Sequence, residues 1–222
     1  EFYERAGRVV CLGSDRRQGM LTAIGAVSPP GGDLSEPVTQ ATLRIVKAYW
    51  GLDASLAYRR HFPAINWLIS YSLYTDRLED YFVKTVGQEF NELRAQSMRI
   101  LQEEAELEEI VRLVGVDALS FKDQLTMETA RSIREDYLHQ NAFHEVDTYS
   151  SLKKQHLMLK AIILFDKAAR IQMEQGASLK KILVDPVREQ LSRAKYIKED
   201  EIAKLEAIVA DLQKRAAVGV EV

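Results

Sequence analysis

Cysteine is nearly absent: Cys11 is the single one in 222 residues. A lone thiol excludes an internal disulfide and any zinc site built on cysteines, and it fits a reducing compartment. Long apolar runs are missing too. The run Ala161–Phe165 is far too short to cross a bilayer, and no signal-peptide pattern opens the chain. Neither sign of charge dominates. Thirty basic residues against 33 acidic ones leave a net charge of −3 and a pI near 5.9, which gives no general drive toward nucleic acid or an anionic membrane surface. There is no phosphate-binding G-x-x-x-x-G-K-[ST] string, no internal repeat and no low-complexity tract. Metal-ligand spacing is also missing. His61, His139 and His156 follow no ligand pattern, and His144-Glu145 fails as H-E-x-x-H because Thr148 holds the second His position. What is present is 46% apolar residues, enough for a packed core in one or two domains.

Proline and glycine cluster before Tyr74 and nearly vanish after it. The early part reads as mixed structure. A short helix through Tyr3-Glu4-Arg5-Ala6 stops at Gly7. Arg8-Val9-Val10-Cys11-Leu12 predicts a buried strand, residues 13–19 a hairpin turn and residues 20–27 the return strand. Residues 39–48 have helical spacing, and Leu56 to Tyr58 reads as a short strand or extended run. The composition places a domain boundary between Tyr74 and Arg77.

The later part reads as helices. Residues 88–114 form one long amphipathic helix with Phe90, Leu93, Leu101, Ile110 and Val114 on a broad face, ended by Gly115. Its acidic cluster, Glu103, Glu104, Glu106, Glu108 and Glu109, is expected to be a solvated face. Ser120 and Asp123 make a capping pattern for the next helix, with Leu125, Ala130, Ile133 and Tyr137 on its inner side. Further helices are expected over residues 145–175, after Ser178, after Asp185-Pro186 and over residues 198–217. Together these form a helical bundle.

Two loops stand out. Ser28-Pro29-Pro30-Gly31-Gly32-Asp33 cannot be helix or central strand, and Leu34 to Gln40 extends it with another proline. In His61-Phe62-Pro63, the proline biases Phe62 away from helical geometry and sets its ring on a loop. The string SPPGGDLSEPVTQATLRIVKAYWGLDASLAYRRHFPAINWLISYS (residues 28–72) resembles the catalytic A subunit of V/A-type rotary ATPases. GVDALSFKD (115–123), REDYLHQNAFHEVDTYSSLKK (134–154) and LSRAKYI (191–197) extend the resemblance over essentially the whole chain.

The resemblance implies an α+β, mostly α fold. Residues 1–75 would be the C-terminal part of a RecA-like P-loop domain and residues 76–222 a helical bundle domain. It also implies that the phosphate-binding loop, the Mg²⁺-binding acid and the catalytic glutamate lie upstream, which accounts for the missing initiator Met and leaves no catalytic residue here. The intact subunit would bind ATP or ADP with Mg²⁺; tight binding by this piece alone is not expected. Its implied partners are the B subunits of the hexameric head, the central rotor shaft, the peripheral stalk and, indirectly, a membrane sector moving H⁺ or Na⁺. Nucleic acid is not among them. Its implied place is cytoplasmic, peripheral to the membrane. Alternatives are the non-catalytic B subunit, against which SPPGGD and FPAINW argue, and a stand-alone helical interaction module.

Within the resemblance, Phe62 matches the aromatic that stacks on adenine, and Gln140, Asn141, Ala142 and Phe143 match the segment closing that slot. An aromatic face buries purine area and a small alanine lets the ring approach; the alternative is that Phe62 and Phe143 pack as core. Asp117, Leu119, Phe121, Lys122 and Asp123 occupy the place of the acidic turn that F-type catalytic subunits press on their rotor. Phe121-Lys122 stand where carboxylates would be, so packing is expected to matter more than charge. Arg59-Arg60 are open between a role at a phosphate or neighbouring subunit and simple solvation. Asp33, Ser35 and Glu36 are open between a subunit boundary and the rotor side.

Overall fold

The structure, a computed structural model, describes residues 2–217. It divides into two compact units: residues 2–50 with Ser70–Thr75, and residues 51–69 with those from Asp76 onward.

The first unit holds little regular structure. Strands β1 (Gly7–Val10) and β2 (Gln18–Leu21) pair antiparallel in the register Gly7↔Leu21 to Val10↔Gln18. The expected buried strand is exposed along its whole length, and the return strand stops at Leu21 rather than Val27. A two-stranded ribbon has no second layer to cover it, so its apolar side chains stay in solvent. Helix α1 (Pro37–Ile45) starts where Glu36 accepts from the Thr39 N–H at 2.8 Å and Pro37 takes the first position. Before it, Gly31 and Gly32 take φ of 65° and 75°, left-handed values that a Cβ would strain. Two short strands, β2's successors β3 (Ala48–Tyr49) and β4 (Tyr71–Ser72), bring residues 70–75 back to this unit, where the Tyr71 hydroxyl donates to the Leu43 carbonyl.

In the second unit, Ala54–Tyr58 is a helix, α2, not an extended run. The Asp53 carboxylate accepts from the Ser55 N–H at 2.7 Å, and that cap outweighs the strand preference of Leu56 and Tyr58. A two-turn α3 (Glu79–Thr85) precedes the long α4 (Phe90–Val114). Gly115, at φ 88°, ends α4, and Ser120 caps α5 (Phe121–Ser132). The chain then widens into a π-type turn over Ile133–Leu138. The helix expected from residue 145 begins later, at Leu152, as α6 (Leu152–Glu174). Ser178 and Asp185 cap α7 (Leu179–Leu183) and α8 (Pro186–Arg193), and α9 (Ile202–Ala217) closes the chain.

Helix α6 organises the core. It sends Ala161, Phe165 and Ala169 against Leu125, Leu191 and Leu212, Ile162 against Leu101 and Ile133, and Met158 against Leu205. Of the apolar face expected on α4, Phe90, Leu93 and Leu101 are buried, while Ile110 and Val114 near its end are exposed. The acidic cluster is not all solvated. Glu104 is buried and takes two parallel hydrogen bonds from the Arg134 guanidinium at 3.0 and 2.8 Å. Burial, only partly opposed by Arg134, holds the Glu104 carboxyl above its usual range. A second buried network joins Thr129, Asp166 and Arg170 across α5 and α6.

Candidate functional site

The loop that carries Phe62 is closed at its base. Asp53 N–H donates to the Ala64 carbonyl, Asn66 N–H donates to the Gly51 carbonyl, and the Asn66 amide donates to Asp53 at 3.0 Å. Helix α2 hands the chain on through Arg60, whose φ of 59° turns it sharply toward His61. The peptide between Phe62 and Pro63 is cis. His61 is buried, its ring 5.6 Å from that of Trp67 and 5.3 Å from that of His139. Burial holds its imidazole below the usual pKa, although Glu135 opposes that. Phe62 itself is half-exposed.

The second segment begins where the π-type turn ends. The Gln140 N–H donates to the Phe62 carbonyl at 2.7 Å. That single bond joins the two segments singled out in the sequence. The Gln140 side chain turns inward, its amide donating to the Asp147 carbonyl at 2.7 Å. Asp147 is buried and accepts from the Asn141 N–H at 2.7 Å. The His144 Nδ1 accepts from the Val146 and Asp147 N–H groups, and the Thr148 hydroxyl lies 2.9 Å from the Ala142 carbonyl. These bonds form a small tied loop whose outer residues, Ala142 and Phe143, face solvent, with Phe143 fully exposed. Phe62 and Phe143 therefore do not pack as core. The bond from Gln140 to Phe62 thus joins two segments that each carry an exposed aromatic side chain, Phe62 and Phe143, with the small Ala142 beside the latter.

The turn after α4 presents another surface. The side chains of Leu113, Val114, Val116 and Phe121 are exposed around it, whereas Leu119 is 8% exposed and points inward. Ser120 and Asp123 are bound to each other in the cap, with Ser120 Oγ to Asp123 Oδ2 at 2.6 Å, while Asp117 and Lys122 are exposed. Asp33 is likewise tied to its own loop, accepting from Ser35 N–H and hydroxyl, which hold its carboxyl below the usual range.

Two further side chains, Lys195 and Tyr196, adjoin the Gln140 loop. Lys195 donates to the Glu135 and His139 carbonyls, and the Tyr196 ring lies 4.6 Å from that of His144. Their only local signal was the LSRAKYI string, which carried no assigned role. Among the described residues no three His, Cys, Asp or Glu side chains converge as a metal would require, and no helix is long and apolar enough to cross a membrane.

Comparison with known proteins supplies the lineage. Residues 1–72 match the nucleotide-binding domain of the ATP synthase alpha/beta family, and residues 79–183 match the C-terminal domain of V and A type ATP synthase. The V-type ATP synthase alpha chain of Thermoanaerobacter pseudethanolicus is 63% identical over 214 residues, which is 96% of this chain and 36% of that one. That of Acetivibrio thermocellus is 68% identical over 202 residues, 91% and 34% of the two chains. The chain thus spans about a third of the length of the curated relatives it matches. Among solved structures, an ATP synthase subunit, NeqB, from Nanoarcheaum equitans aligns with a TM-score of 0.53 at 20% identity, covering 62% of this chain and 32% of that one, a likeness of fold. The mostly helical architecture, the two matched domain families and the identity along almost the full chain agree: this chain is similar, over about a third of their length, to V-type ATP synthase alpha chains.

Proposed function

We propose that this chain acts within the catalytic alpha (A) subunit of a V/A-type rotary ATPase, where it holds the adenine of ATP or ADP and carries motion to the rotor. Phe62 stacks on the base, and Gln140, Ala142 and Phe143 close the slot. The observation that carries the reading is the 2.7 Å bond from the Gln140 N–H to the Phe62 carbonyl, with both aromatic rings left facing solvent. The intact subunit would use ATP hydrolysis or synthesis to drive, or be driven by, H⁺ or Na⁺ movement through a separate membrane sector. It would sit on the cytoplasmic side in a head shared with B subunits, against the central shaft and the peripheral stalk.

Phosphoryl transfer needs a phosphate cradle and its lysine, and no such loop occurs in these 222 residues. Among the described residues no three His, Cys, Asp or Glu side chains converge where a Mg²⁺ could be held. The part of this chain in the chemistry is therefore placement of the base, and by itself it is expected neither to hold nucleotide tightly nor to turn it over. The turn over residues 115–123 is the rotor-facing end, joined to the slot by the continuous run from α5 to Leu138. Because Leu119 is buried, Phe121 with Val116 makes the apolar contact there, and Asp117, Lys122 and Asp123 flank it.

The test is Phe62→Ala in the assembled complex. Loss of stacking should weaken MgATP binding by about 1–3 kcal/mol while leaving kcat at saturation nearly unchanged. Unchanged affinity would remove Phe62 from the nucleotide site.

A further inference from the structure

Lys195 is buried, and its ammonium donates to two main-chain carbonyls, that of Glu135 at 2.8 Å and that of His139 at 3.2 Å. The first lies within the π-type turn and the second directly follows it. Within that turn the His139 N–H bonds the Arg134 carbonyl, five residues back, at 2.8 Å. One more bond of the same kind would join the Gln140 N–H to the Glu135 carbonyl. Instead the Gln140 N–H goes to Phe62, and the Lys195 ammonium occupies the carbonyl it leaves. A buried carbonyl without a donor is costly, and an ammonium is a stronger donor than an amide. The next residue, Tyr196, places its ring 4.6 Å from that of His144, just past Phe143. Lys195 and Tyr196 therefore hold the two flanks of the Gln140–Phe143 segment. The main chain at Lys195 is itself pinned, because the Nζ of the deeply buried Lys154 donates to its carbonyl at 2.8 Å.

We propose that Lys195 is a positioning residue for the nucleotide pocket: by taking the Glu135 and His139 carbonyls it stops the helix at Leu138 and leaves the Gln140 N–H to clasp Phe62. The role of the clasp in holding adenine rests on the function proposed above; the clasp itself does not. Without the ammonium, the donor within the turn that can reach the Glu135 carbonyl is the Gln140 N–H, and its recapture releases the Phe62 loop.

The experiment compares Lys195→Met, Lys195→Arg and Phe62→Ala in the assembled complex, with MgATP as the probe. Lys195→Met should raise KM about tenfold, the scale of one charge-assisted hydrogen bond, with kcat at saturation within about twofold. Lys195→Arg, which keeps a charged donor, should recover most of that loss. If Phe62→Ala raises KM and Lys195→Met does not, the positioning role is overturned and the adenine slot stands. If Phe62→Ala leaves KM unchanged, the slot is wrong, and the clasp is judged separately in the 222-residue chain. There, in a Trp50→Phe background, Trp67 is the sole tryptophan, with its ring 5.6 Å from that of His61. Lys195→Met should shift its emission to the red as the loop detaches; an unchanged spectrum overturns the proposal. Should Lys195→Met fail to fold, Lys195→Gln takes its place with the same outcomes.

Discussion

The two compact units of this chain place their apolar residues in opposite ways. In the helical unit, α6 is surrounded, and Ala161, Ile162, Ile163 and Phe165 all vanish from solvent. In the hairpin unit, Val9, Val10, Met20 and Leu21 are as apolar yet stand exposed, and Thr39 is the only buried residue among those described there. The difference is one of layers. A helix with neighbours on several sides can bury most of its circumference, whereas a two-stranded ribbon with none can bury neither face. An apolar pattern thus states what a segment needs to be packed against, not that the chain supplies it. The exposed hairpin is in keeping with the proposed place inside a larger nucleotide-binding domain.

The contrast is broken most forcefully in the helical unit. Arg134→Met would leave the Glu104 carboxylate buried without its partner. Removing one member of a buried pair costs about 3–5 kcal/mol. Denaturant unfolding followed by helical circular dichroism should show that loss, and Glu104→Leu added to Arg134→Met should restore most of it. A single substitution that leaves the midpoint unmoved would mean the pair is open to water and the unit looser than its packing indicates.

That pair also marks where the sequence was legible and where it was not. Cap chemistry is local, so Ser120, Ser178 and Asp185 could be read directly, and all three cap helices in the fold. The pairing of Glu104 with Arg134 is not local. Five glutamates in a row of seven look like one solvated stripe, and only the arrival of α5 against α4 selects one for burial. The same reason hid Lys195. Its partners are main-chain carbonyls, which carry no side-chain signature, and they become available only because the helix widens before Gln140. The Phe62 and Gln140–Phe143 segments were legible from their resemblance to a family, whereas the bond between them depends on the closed loop built by Asp53 and Asn66. Leu119 shows the converse: it looked like part of a surface and is buried beneath the turn.

Acid should act on the helical unit through its histidines. Burial holds His61 and His156 below the ordinary pKa of 6.5, although Glu135 and Glu89 respectively oppose it. Between those lowered values and 6.5 the unfolded chain binds more protons than the folded one, so stability rises with pH there. It is complete above 6.5 and declines as pH falls through that window. Glu104 and Asp136, whose carboxyls burial raises, work in the opposite sense at lower pH. Melting temperatures measured from pH 7.5 downward should therefore begin to fall near 6.5, and His61→Asn with His156→Gln should flatten that first decline. An equally steep decline in the double variant would assign it to other groups.

The smallest expected effect sharpens the comparison from the other side. Val10 lies in the β1–β2 ribbon with more than half of its surface exposed. In this chain, Val10→Ala removes methyl groups that are already wet. Substitutions of that kind stay within about 0.5 kcal/mol of neutral. In the full-length alpha chain the same substitution should cost more, up to about 2 kcal/mol, if further strands or helices cover the ribbon there. The measurement is one substitution in two contexts, each followed by chemical denaturation. A cost that grows from one context to the other shows that Val10 acquires a partner. An equal, near-zero cost in both would mean that the ribbon stays in solvent, and its apolar residues would then be an exposed surface rather than unfinished core.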